Sequence, residues 1–177
     1  MSSLSLLHTA VHANLHVIDQ GIRLLEKLGA ERYAARVAIC YNASIGGHLR
    51  HIIEHYESFL SGYEQGEIDY EKRARDPLIE GNVSYAAATL ENVAAGLRHL
   101  DLPSMPANSG YCAETVSTIA RTSVLRELEF LLSHTIHHYA LVAVMARLQG
   151  CEPEADFGVA PSTLKFQQAQ AAAACAR

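Results

Sequence analysis

The stretch that decides the fold is "SVLRELEFLLSHTIHHYALVAVMARLQG", residues 123–150. Leu128, Leu132, Thr135, Tyr139, Val142 and Ala146 recur at alternating spacings of four and three, which places them on one face of a helix. Ser123 offers an N-cap and Gly150 a C-terminal stop. Three histidines, His134, His137 and His138, interrupt this otherwise apolar run. Leucine would pack better at such positions, so the imidazoles need a chemical reason.

Working outward, three more helices emerge. Residues 4–28 carry Leu4, Leu7, Val11, Leu15, Ile18, Ile22 and Leu25 on one stripe, ended at Gly29. A second helix starts after the N-cap Ser44 and runs to about Ser61, with Ile45, Leu49, Ile52, Tyr56 and Phe59 apolar and Gly62 at its end. A third spans about Ser84 to Leu100, on Ala86, Leu90, Val93, Leu97 and Leu100. Between helices two and three lies "GYEQGEIDYEKRARDP", without periodicity, which reads as a solvated charged loop. Between three and four, "DLPSMPANSGY" is a break rich in turn formers, followed by "ETVSTI", a short extended piece. The expectation is an all-α four-helix bundle over residues 1–160, with long loops between helices 2–3 and 3–4. Residues 161–177, ending in "QQAQAAAACAR", form an Ala-rich tail with no evident core face, either frayed helix or disordered.

The totals limit the function classes. The chain has 177 residues and a net charge of −5, so it has no basic footprint for nucleic acid. No apolar run is long enough to span a bilayer, and the N-terminus lacks the pattern of a signal peptide. Cys40, Cys112, Cys151 and Cys175 have no paired spacing and read as free thiols, which suits a cytoplasmic protein.

Histidine is the compositional outlier. Nine of the 10 fall in three groups: His8, His12, His16; His48, His51, His55; and His134, His137, His138. At about 100° per residue, His134 and His138 share one flank of the fourth helix's buried stripe, and His137 points away. His48, His51 and His55 lie on the same shoulder of helix two. If those shoulders meet, three or four ring nitrogens converge. The HxxxH pair offers two nitrogens one turn apart, and a third ligand comes from another element. Neutral imidazole suits Zn, Ni, Cu and Fe(II). The helix-one trio reads as a solvated face, with His16 its best candidate for an additional ligand. His99 fits a contact with the C-terminal end of helix three.

"GGHLRHIIEHYESFL" followed much later by "SHTIHHYALVAVMARLQG" resembles the DinB-like, YfiT-type superfamily of metal-binding four-helix bundles. The N-terminal domains of the sulfoxide synthases that make ergothioneine-type thiols share this pattern. The resemblance implies a metal site of His51, His134 and His138, holding a divalent transition metal (Zn, Ni or Fe) with an open coordination position. It also implies a metal-dependent enzyme of thiol-dependent transferase or hydrolase type. Its partners would be a small-molecule substrate such as a low-molecular-weight thiol, and a second copy in a homodimer. The alternatives are a non-catalytic, stress-responsive dimeric bundle, or non-haem Fe(II) oxygen chemistry. A structural site would be closed by a fourth ligand, with His48, His55 or His16 the candidates. Tyr56 is expected to orient a ligand, and Arg73 or Arg75 could fold over the mouth toward an anionic substrate.

Overall fold

The computed structural model describes residues 2–102, 111–115 and 118–175, with side chains for 2–102 and 121–174. Four long helices form its frame: α1 (Ser3–Ala34), α2 (Ile45–Gln65), α4 (Val83–Arg98) and α5 (Val124–Leu148), with the short α3 (Pro77–Gly81) between α2 and α4. α1 and α2 each pack against both α4 and α5. The predicted stripes form the shared core, except that Leu4 is exposed and Leu15, Ile22, Leu100 and Leu132 are only partly buried. Ile45, Leu49, Ile52, Tyr56 and Phe59 of α2 are fully buried, as are Leu90 of α4 and Leu128, Tyr139 and Val142 of α5.

Local chemistry sets the helix ends. Ser44 and Ser123 accept hydrogen bonds from the amides of Gly47 and Arg126, each supplying a partner that the first turn lacks. At Gly29 the backbone turns to φ 74°, which breaks α1; the chain then resumes helical geometry to Ala34, where a plain connection was expected. A further correction concerns the end of α2. Gly62 does not end the helix, which continues to Gln65 and closes on Gly66 with φ 78°. Gly62 is needed because another segment crosses there: a Cβ would sit 2.4 Å from the Glu67 carbonyl oxygen.

That segment is β3 (Glu67–Asp69), which joins β4 (Tyr111–Thr115) in parallel, and β4 pairs antiparallel with β5 (Thr118–Thr122). The extended piece expected at "ETVSTI" falls on the ends of β4 and β5, with residues 116 and 117 outside the described residues, and the stretch 67–70 is no solvated loop, while Glu71, Lys72, Ala74 and Arg75 remain exposed. Ile68 is fully buried and Tyr70 nearly so, so this segment straps down against α2. A second small sheet, β1 (Arg36–Val37) with β2 (Ala43–Ser44), leads into α2. The break at 103–110 lies outside the described residues, as do the side chains of Cys112 and Cys175; Cys40 and Cys151 are free thiols. A helix, α6 (Pro161–Cys175), occupies the Ala-rich tail and is almost wholly exposed. Among the described residues no helix is long and apolar enough to cross a membrane.

Beneath the histidines a buried polar chain ties three helices together. Tyr56 donates to Asn14 Oδ1 at 2.6 Å, Thr135 donates to the Tyr56 oxygen at 3.2 Å, and Asn14 Nδ2 donates to the Leu128 carbonyl at 3.0 Å. Asn14 and Tyr56 are fully buried and Thr135 nearly so. Leaving any of these groups unpaired would cost about 1–3 kcal/mol. The chain therefore fixes the height of α2 relative to α5. Tyr56 is spent on this task and does not face the site, contrary to the ligand-orienting role expected for it.

Candidate metal centre

With that register, the residues next to Tyr56 and Thr135 on the outer side of α2 and α5 meet. One ring nitrogen from each of His51, His134 and His138 lies within 4.8 Å of the other two. His134 Nε2 and His51 Nε2 are 2.9 Å apart and share a hydrogen bond. Two imidazoles bound tetrahedrally at about 2.0–2.1 Å from one ion hold their nitrogens about 3.4 Å apart. The His134–His51 pair lies slightly inside that value and all three nitrogens lie within 4.8 Å of one another, so the rings could hold a single ion after small rotations.

The remaining histidines of the cluster are already occupied. His48 Nδ1 lies 2.9 Å from His138 Nδ1, which leaves His138 Nε2 free to serve as a ligand. His55 Nδ1 donates to the His51 carbonyl at 2.6 Å, and its Nε2 accepts from Arg73 Nη1 at 3.1 Å. With both nitrogens engaged, His55 cannot ligate. His16 lies elsewhere, with its Nε2 3.8 Å from Asp156 Oδ2. Among the described residues no fourth His, Cys, Asp or Glu brings a ligand atom within 4.8 Å of all three at once. His137 is exposed, as its helix angle predicts. His99 Nδ1 bonds the Ala95 carbonyl at 2.7 Å, at the end of α4.

Electrostatics keep these rings in the ligand form. Burial lowers the pKa of His51 to about 3, helped by the neighbouring His55, His138, His134 and Arg73 charges. His138 falls to about 3 through burial, then His134 and His48. His55 falls to about 4, mainly by burial, while its bond to the His51 carbonyl opposes the shift. His134 and His48 are lowered chiefly by burial, with the charge of His137 adding to it. A half-buried cluster of imidazoles cannot hold several positive charges, so the rings are neutral at neutral pH.

The strap supplies one wall. Tyr70 stacks on His55 with centroids 5.3 Å apart, and Phe130 stacks on His134 at 5.3 Å. Tyr70 donates to Glu127 Oε2 at 2.7 Å, and Thr122 donates to Glu127 Oε1 at 2.6 Å; this buried carboxylate therefore anchors both the strap and the hairpin to α5. Arg73 is almost buried between His55 and Glu54, with its Nε 4.0 Å from Glu54 Oε2 and without a hydrogen-bond partner. On its other side a cavity of about 470 Å³ opens between α2 and the strap, lined by Glu54, Glu57, Ser58, Ser61, Asp69 and Arg73 among others. Sequence reasoning missed this strap because three strand residues in a charged run leave no periodic trace. Arg75, with φ 54°, has no contact with the three rings among the interactions seen.

No protein-family model and no curated protein sequence matches this chain.

Proposed function

We propose that the protein is a DinB-like, metal-dependent enzyme, in which His51, His134 and His138 hold one divalent transition ion, zinc, nickel or iron. The reaction is of thiol-dependent transferase or hydrolase type, on a small molecule such as a low-molecular-weight thiol, in a cytoplasmic homodimer. The observation that supports this reading is the three-ring cluster with no fourth side-chain ligand among the described residues. Three protein ligands that leave a position for water or substrate are the pattern of catalytic zinc, whereas structural sites close with four.

When bound, an ion in such a site acts as a Lewis acid and lowers the pKa of a coordinated water or thiol. The chain's own residues do the rest. His48 takes the second nitrogen of His138 and so fixes which one is offered. Phe130, stacked on His134 and packed against Tyr70, walls one side of the site. Arg73 brings a fixed, incompletely neutralised positive charge to the rim, which suits an anionic group on the substrate.

The test is elemental analysis of untagged protein, which is expected to carry about one transition ion per chain. His51→Ala, His134→Ala or His138→Ala should each remove it with helical content kept, and His137→Ala should retain it. Full metal content in the first three variants would end this reading.

A further inference from the structure

α1 presents His8, His12 and His16 at i, i+4 and i+8, and all three side chains are exposed. Residues four apart on a helix have Cβ atoms about 5–6 Å apart on one face, close enough for two imidazoles to grip one ion. Two overlapping pairs are available, and a second feature selects between them. Asp156 lies against His16, with Oδ2 3.8 Å from Nε2. That separation is too long for a hydrogen bond. A tetrahedral ion about 2.0–2.2 Å from both atoms would hold them about 3.3–3.6 Å apart, so this ion pair closes onto one with a shift of a few tenths of an ångström.

The carboxylate is held in place from below. Gln20 Nε2 donates to the Asp156 carbonyl at 3.3 Å, Arg23 and Lys27 bond Glu154 at 3.0 and 3.1 Å, and the buried Phe157 stacks on Tyr139 at 4.5 Å. The nearby cations Arg23 and Lys27 are thereby paired with Glu154, and Arg23 also with Asp19, so they do not compete for Asp156. Gln20 Nε2 also approaches His16 Nε2, at 3.5 Å.

We infer that His12, His16 and Asp156 form a second metal-ion site, on the surface, for a borderline divalent ion such as Cu²⁺ or Zn²⁺. The ion bridges α1 and the segment that follows α5. Among the described residues only His51, His134 and His138 already converge in the observed rotamers, so His12 must swing in; exposed side chains make such moves in picoseconds to nanoseconds. Imidazole with one carboxylate takes Cu²⁺ most tightly of the first-row ions. Because the site is open to solvent, its ion exchanges freely.

Cu²⁺ titration of the full chain, followed by electron paramagnetic resonance, tests this. The His12→Gln/His16→Gln double variant should bind one Cu²⁺ fewer per chain than the wild type, and the signal it loses should carry two imidazole nitrogens. Equal stoichiometry in the two proteins would overturn the inference. Asp156→Asn should weaken that equivalent by about tenfold; unchanged affinity would remove the carboxylate and with it the bridging site. His8→Gln should leave the equivalent in place, and its loss there would mean the ion sits on the other pair and the inference is wrong. The His134→Ala/His138→Ala variant should keep this equivalent, so failure of the core site is read separately.

Discussion

At the scale of single residues, the centre depends on which nitrogen each ring can offer. His138 and His48 meet through their Nδ1 atoms, so one must donate and the other accept. Removing the acceptor frees the His138 ring to rotate or change tautomer. His48→Ala is therefore expected to weaken metal binding by about 10–100-fold, with His48→Asn recovering part of it, as chelator competition would read. Undiminished affinity in His48→Ala would show that His138 needs no such partner. His55 illustrates the opposite situation. Helix angle alone makes it as good a ligand as His51, yet a carbonyl one turn back and a guanidinium from the strap take both its nitrogens. None of this is legible in the helical spacing, because a spacing gives an angle and not the neighbour that will be found there.

At the scale of elements, the strap and α2 are fitted by the absence of one side chain. Gly62 lies inside α2 where β3 crosses, and a methyl group there would meet the Glu67 carbonyl oxygen at 2.4 Å and the Ile68 backbone at 2.7 Å. Both obstacles are backbone atoms, which cannot rotate aside. Gly62→Ala should cost about 1–3 kcal/mol of stability by urea denaturation, despite alanine's better helix propensity. A stabilised variant would mean the strap is not seated on α2 as described. The glycine was visible in the sequence but read as a helix end, since a close backbone approach and a terminus leave the same mark.

For the whole molecule, the metal-free bundle has a defined acid weakness. Burial holds the folded pKa of His51 and His138 at about 3 and of His55 at about 4, against the ordinary histidine value of 6.5. Below 6.5 the unfolded chain binds protons that the folded chain refuses, so stability is full above that pH and declines as pH falls toward 4 and 3. Thermal melts of metal-free protein should drop steadily from pH 7 to pH 4, and the His51→Ala/His138→Ala variant should drop less. Identical pH dependence in the two would place the acid sensitivity elsewhere.

Much of this architecture can be read from one dimension. Apolar recurrence with the helical period determines which faces of α1, α2, α4 and α5 turn inward, because water excludes those side chains wherever the partners lie. The same period put His134 and His138 on one flank and His137 outside. What periodicity left open and the tertiary structure decided is height along the bundle: how far α2 slides against α5, and hence that the ring of His51, the one the resemblance implies, meets the pair and not His48 or His55. That choice is made by the buried Asn14–Tyr56–Thr135 chain and by a strap whose contacts join residues far apart in sequence. Periodicity specifies rotation about a helix axis, whereas translation along it is set by long-range polar pairs whose cost of mismatch appears only when the helices are packed.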